Sequence, residues 1–132
     1  MVDQCVKEAG LAKQAVDDQL VSSLCIKPAF LGGLGIARDV RDYCVSSGMN
    51  MRIDGPWCGD IATAAILHLA VGALPDLLIA GCDLREPLVR ERDLKGVTRF
   101  EACRIGPPPG PGLGITLLDN VMGEPHAIYS IR

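Results

Sequence analysis

Three apolar runs in this chain close on ionisable residues. They are Val21-Ser-Ser-Leu-Cys-Ile-Lys27, Met49-Asn-Met-Arg-Ile-Asp54 and Asp76-Leu-Leu-Ile-Ala-Gly-Cys-Asp83, the last followed by Arg85 and Glu86. Lys27 is also flanked by two acids, Asp3 at 24 residues before it and Asp54 at 27 after it. A lysine and aspartates on one rim can move a proton at carbon, provided burial lowers the lysine pKa towards neutrality. Parallel α/β proteins collect such groups at the carboxyl ends of their strands. Strands also end on polar residues simply because they emerge into solvent, and spacing alone leaves both readings open.

The elements that must position these groups follow from periodicity and punctuation. Val6 to Leu20 reads as a helix with Leu11 and Ala15 on its apolar side, and Val21 to Lys27 as a strand. Gly32, Gly33 and Gly35 form neither a GxGxxG nor a Walker motif and read as the turn glycines of a loop. Leu34 to Ser47 is an amphipathic helix: Ile36, Ala37, Val40 and Cys44 share one face and Gly48 is the stop. A strand over 49–54, a loop over 55–59 and an apolar helix from Ile61 to Ala73 follow, with Asp60 expected as the N-cap. Pro75 restarts the chain into the third strand. The order α, β, α, β, α, β predicts a parallel sheet with right-handed crossovers. Beyond this, Gly106 to Gly114 is rich in proline and glycine and is expected to be neither helix nor central strand, and His126 to Ile131 is expected as an edge strand.

Composition narrows the class. A chain of 132 residues suits one domain, and 48% hydrophobic residues with only 4% aromatics suit the aliphatic layers between parallel strands and helices. A net charge of −3 without a basic stripe gives no electrostatic reason for nucleic acid or an anionic membrane as partner. The apolar stretches Ile61–Leu74 and Leu77–Cys82 are too short to span a bilayer. Six cysteines (Cys5, Cys25, Cys44, Cys58, Cys82, Cys103) with no CxxC pair and no secretory leader are expected mostly as buried, reduced core residues of a cytoplasmic protein.

The run Lys27-Pro-Ala-Phe-Leu-Gly-Gly-Leu-Gly, the helix ending at Gly48, the next strand and Cys82-Asp-Leu-Arg-Glu-Pro-Leu88 together resemble the barrel domain of the mandelate racemase/muconate lactonizing enzyme family, within the enolase superfamily. Gly110-Pro-Gly-Leu-Gly-Ile115 is similar to the segment after that barrel's eighth strand. The resemblance implies an α/β fold: the second half of a (β/α)8 TIM barrel over residues 1–90, holding the fifth to eighth strands, then an irregular tail over 91–132. It implies Lys27 as the acid/base at the end of the sixth strand. Asp54 stands where mandelate-type racemases place a histidine paired to an aspartate, so the His–Asp version of the chemistry is not implied here. Asp3 falls where the fifth strand supplies a carboxylate ligand to an essential Mg²⁺, although its usual neighbour is Glu and here it is Gln4. Asp83 and Arg85 match the region contacting the far end of the substrate. An acid occupies the place of Arg85 in dipeptide epimerases, which disfavours that substrate class. The lysine–aspartate combination resembles members acting on proline-like amino acids and betaines as racemases, epimerases or hydroxyproline dehydratases. The complete enzyme would be a homo-oligomer taking a small carboxylate or amino-acid substrate.

That chemistry also requires further carboxylate ligands, a base on the opposite face and a capping domain, while a half-barrel leaves open strand edges. The chain by itself is therefore expected to be a truncated piece without turnover, and a non-catalytic interaction module is the alternative reading. Trp57 lies in the loop after the second strand, where it either lines the site and covers a cation or plugs the barrel mouth. His68 is expected as a packed helix residue, Cys82 as a buried strand residue, and Gly106 to Gly114 as a packed tail rather than a ligand for proline-binding modules.

Overall fold

The computed structural model describes residues 1–55, 59–81, 94–95, 102–117, 123–124 and 126–130. The elements are α1 (Ala9–Asp17), β1 (Ser23–Ile26), α2 (Pro28–Leu31), α3 (Leu34–Ser46), β2 (Asn50–Ile53), α4 (Asp60–Val71), β3 (Leu78–Gly81), β4 (Leu94–Lys95) and β5 (Thr116–Leu117). The first three strands form one parallel sheet in the order β1-β2-β3, and β4 pairs antiparallel with β5. A parallel bridge from Val2 to Leu24 adds the start of the chain to the outer edge of β1. Parallel strands alternating with helices, each crossover passing through a helix, are the expected half-barrel arrangement.

Strand pleating divides the sheet chemically, because successive side chains point to opposite faces. Leu24 and Ile26 of β1 and Met51 and Ile53 of β2 are fully buried and join one core with Ala12 and Val16 of α1, Ala37, Val40 and Cys44 of α3, and Ile66, Leu69 and Ala70 of α4. Each large aliphatic side chain so buried contributes about 1.5–3 kcal/mol. The opposite face receives Cys25 and Lys27 from β1 and its end, and Arg52 and Asp54 from β2 and its end. The core is thus on one side of the sheet and the ionisable groups on the other.

The helices depart from expectation in instructive ways. α1 begins only at Ala9, since the chain first turns through a Val6 N–H to Asp3 carbonyl bond of 3.2 Å, and it stops before Gln19, which adopts φ 51°. Its buried side is Ala12 and Val16, while Leu11 is exposed. In α3 the buried face is Ala37, Val40 and Cys44, and Ile36 lies outside it. Gly59, not Asp60, is the N-cap of α4; Asp60 is buried in the first turn, where its charge suits the helix dipole. α4 is apolar nearly all round, and it is correspondingly covered: Ile66, Leu67, Leu69 and Ala70 are buried. Arg41 of α3 donates from Nη1 to the Leu69 carbonyl at 3.0 Å, satisfying an acceptor in the last turn of α4.

The expected loop after Lys27 is a helical turn. Pro28 occupies the first position of α2, where its missing N–H is no loss, and the amides of Phe30 and Leu31 bond the Lys27 carbonyl. The glycines then reverse the chain. Gly32 closes α2 at φ 90°, and Gly33 opens α3 at φ 128°, ψ 178°, a region open essentially to glycine alone. In the tail, Cys103 to Pro107 share a recess of about 320 Å³ with Leu67, Ala70 and Leu78, and the His68 ring Nε2 lies 3.2 Å from the Leu113 carbonyl oxygen. Residues 126–130 form no strand and are exposed, contrary to the expected edge strand. Of the cysteines, Cys25 and Cys44 are buried thiols, whereas Cys5 and Cys103 are free but exposed; Cys58 and Cys82 lie outside the described residues. Among the described residues no helix is long and apolar enough to cross a membrane.

The Gly33 conformation fixes how the chain leaves Lys27. Gly33→Ala is expected to cost about 1–3 kcal/mol through backbone strain alone, because no atom crowds its Cβ position. Gly35→Ala, equally open but helical, should be neutral or stabilising by up to about 1 kcal/mol. Urea midpoints of the two variants check this, and equal midpoints would contradict it.

Candidate active site

The parallel register brings the first two strand-end residues together. Ile26 pairs with Ile53, and the Asp54 amide bonds the Ile26 carbonyl at 3.0 Å, so Lys27 and Asp54 leave the sheet side by side. Asp3 arrives from the other flank of β1. The Val2 amide bonds the Ser23 carbonyl at 3.0 Å and the Cys25 amide bonds the Val2 carbonyl at 2.8 Å, which sets Asp3 level with the end of β1. The Lys27 ammonium then meets an Asp3 carboxylate oxygen at 2.7 Å. Lys27 is only 6% exposed, and the Phe30 ring of α2 lies 5.7 Å from its Nζ.

Asp54, 3% exposed, is held at both oxygens. Oδ2 receives Arg52 Nη2 at 2.7 Å, and Oδ1 accepts the Gly55 amide at 2.8 Å. The site is therefore a row of alternating charge: Asp3, Lys27, Asp54, Arg52. Balanced charge with short hydrogen bonds is the condition under which such groups tolerate burial. Just past the strand ends, an apolar recess of about 390 Å³ is lined by Pro28, Gly33 and Gly55 with Ala62, Ala65 and Ile66 of α4.

The protonation states follow from this geometry. Burial pushes the Lys27 pKa down, but the hydrogen bond and charge of Asp3, with the nearby Cys25 and Asp54, outweigh it and hold the ammonium above its ordinary value. The expected lowering of Lys27 towards neutrality is thus reversed here, because a buried lysine with a bonded carboxylate is stabilised in its charged form. Asp3 is held below the usual carboxylate range by its Lys27 hydrogen bond, against the opposing effect of burial, with the charges of Lys27 and Arg52 assisting. The Cys25 thiol is pushed up to about 12, chiefly by burial and then by the Asp3 charge, so it stays protonated and takes no part as a thiolate.

Sequence reasoning placed Lys27, Asp54 and Asp3 at strand ends, and the structure brings these three together. Trp57, Asp83 and Arg85 lie outside the described residues. Arg52 was missed. The signal was present, since Arg52 and Asp54 sit two apart in a strand whose alternate residues, Met51 and Ile53, are apolar. The His68 ring contacts the Leu113 carbonyl, and no group of three or more His, Cys, Asp or Glu that could hold a metal ion occurs among the described residues.

Residues 1–121 match the family described as enolase C-terminal domain-like. The chain belongs to this family. This enolase-type chain is similar to a cis-3-hydroxy-L-proline dehydratase of Roseibium aggregatum, at 35% identity over 122 residues, covering 92% of this chain and 31% of that protein. Its fold is similar to the crystal structure of a mandelate racemase/muconate lactonizing enzyme from Roseovarius nubinhibens, with a TM-score of 0.86 and 29% identity, covering 97% of this chain and 34% of the other. A second protein of that description from the same organism, crystallised with magnesium, has a TM-score of 0.85 at 22% identity and covers 95% of this chain and 33% of its own. The enolase-type chain thus spans about a third of the length of these relatives. Its parallel strands and helices are one half of a (β/α) barrel.

The Asp3–Lys27 pair makes stability depend on pH with a definite sign. A carboxylate held low contributes stability above its unfolded pKa near 3.9, lost as pH falls; an ammonium held high contributes below its unfolded pKa near 10.4, lost as pH rises. Asp3→Asn is therefore expected to lower stability by about 1–2 kcal/mol between roughly pH 5 and 9, a figure reduced because the Asp3 side chain is 45% exposed. The gap between variant and parent should close towards roughly pH 3 and above about pH 11. Urea denaturation across this range checks it; a gap independent of pH would contradict the pairing.

Proposed function

We propose that Lys27 is the proton-transfer group of an enolase-type site that works at the carbon alpha to a substrate carboxylate, with proline-like amino acids or their betaines as substrates. The observation that carries this reading is a buried ammonium at the end of β1, set between two carboxylates and facing the side of the sheet away from the core. The similarity to a cis-3-hydroxy-L-proline dehydratase supports the substrate class.

In this reading Lys27, as a neutral amine, takes the alpha proton, and the C–H electron pair moves into the substrate carboxyl group to form an enediolate. Returning a proton to that carbon gives racemisation or epimerisation; loss of a β-hydroxyl together with a proton, as water, gives dehydration. Both outcomes share the first step. Lys27 as it stands with Asp3 is an ammonium, so it is poised as the acid. Any contact that draws the Asp3 carboxylate away from Nζ removes the hydrogen bond that raises the Lys27 pKa and shifts the group towards the base.

Asp54 is assigned to the cationic nitrogen of the substrate, because its carboxylate is buried, fixed and adjacent to Lys27. Trp57, Asp83 and Arg85 are assigned to the remaining substrate contacts by their sequence positions. Residues 1–90 are taken as the barrel portion and 91–132 as the tail. Asp3 is assigned as a Mg²⁺ ligand, but the described residues do not fit that ion by themselves. Mg²⁺ demands near-octahedral oxygen ligation, whereas Asp3 is a single carboxylate already bonded to Lys27 and Asp54 is committed to Arg52 and Gly55.

The test is exchange of the alpha proton for deuterium in D₂O, followed by NMR, with the full-length polypeptide that carries these residues. L-Proline, cis-3-hydroxy-L-proline and their betaines form the panel, with magnesium present. Lys27→Met is expected to slow exchange by about 10²–10⁴-fold. Exchange at the parent rate in that variant, or no exchange with any member of the panel, would overturn the assignment.

A further inference from the structure

We propose that Arg52 is a positioning residue, which fixes the Asp54 carboxylate in one orientation beside Lys27. Arg52 of β2 precedes Asp54, the residue just past the strand, by two positions, so both project from the face opposite Met51 and Ile53. The Arg52 guanidinium therefore reaches along the strand towards its end and bonds Oδ2 at 2.7 Å. The Gly55 amide takes Oδ1 from the other side at 2.8 Å. Two donors on the two oxygens define the carboxylate plane, which neither would do alone. The remaining lone pairs of both oxygens are then left in fixed directions for a third partner.

A carboxylate that must receive a substrate cation fails if it rotates to pair with the neighbouring lysine. Arg52 opposes this by occupying Oδ2. The charge of Arg52 also reaches Asp3, so one guanidinium supports the acids on both sides of Lys27. Lysine in place of Arg52 keeps the charge but supplies a rounder, more mobile donor, and methionine keeps only the aliphatic stem.

The functional consequence rests on the proton-transfer reading given above; the positional claim does not, and two measurements separate them. The first follows the Gly55 amide by ¹⁵N NMR and hydrogen exchange in the full-length polypeptide. Arg52→Met is expected to move its resonance and speed its exchange by about tenfold or more as the Oδ1 bond loosens, while the Ile26–Asp54 ladder keeps its protection. Arg52→Lys should retain most of the native behaviour, and it also serves where the methionine variant fails to fold. In an Asp54→Asn background, changing Arg52 should leave Gly55 unaffected. A Gly55 amide that ignores Arg52→Met, or one disturbed equally with and without Asp54, overturns the proposal.

The second measurement is kinetic. Loss of Arg52 should raise KM for the cationic amino acid about tenfold while kcat changes by less than about threefold, with Arg52→Lys restoring part of the affinity. A fall in kcat with KM unchanged would overturn the role in substrate binding. If the parent protein exchanges no alpha proton at all, the proton-transfer reading fails, and the Gly55 amide alone decides for or against Arg52.

Discussion

An ammonium taken out of water must find a counter-charge, and everything around Lys27 follows from that requirement. The side chain is buried at the end of β1, where desolvation lowers its pKa and disfavours the charge. Asp3 supplies the opposing charge at 2.7 Å, and it can do so only because Val2 is hydrogen-bonded along the outer edge of β1. The sheet register supplies Asp54 on the other side. One charge at one strand end thus ties together the start of the chain, β1 and β2, and a slip of either pairing by one residue would send the partner carboxylate to the opposite face.

This arrangement separates what holds the fold together from what the fold is for. Leu24, Ile26, Met51 and Ile53 contribute aliphatic burial on one face of the sheet, and α1, α3 and α4 exist in their observed positions to cover them. Ion pairs on the other face come close to breaking even, since desolvation offsets attraction. The charged face is consequently free to be arranged for orientation. Arg52 and the Gly55 amide show this: each donates to a different oxygen of the Asp54 carboxylate, which is more constraint than its mere neutralisation would need.

How much of this was legible in the sequence depends on the range of the interactions involved. Lys27 and Asp54 declare themselves locally, as the ionisable residues that end apolar runs, and the alternation of runs and amphipathic segments is enough for parallel topology. Leu11 and Ile36 were misplaced because apolar spacing identifies a helix face but not which of its edges a neighbour covers. The helical turn of α2 was hidden by the glycines behind it, since Gly32 and Gly33 mark the reversal and Pro28 was read as part of the same loop. The protonation of Lys27 was the least accessible feature. Burial is visible in a sequence pattern, but the partner that reverses its effect arrives through a single bridge between Val2 and Leu24, for which no local signal exists.

The acid–base role proposed for Lys27 depends on its place at a strand end. A lysine wholly in water is always an ammonium near neutral pH, and one buried without partners is fixed as an amine or excluded from the fold altogether. Between these extremes, burial lowers the Lys27 pKa and the Asp3 hydrogen bond raises it, and here the raising influences prevail. Asp54, by contrast, is clamped from two sides. Lys27 thus stands between a half-exposed partner, Asp3, and a buried, clamped one, Asp54. In the proton transfer proposed for this site, the Asp3 contact is the one that must loosen before Lys27 can act as a base.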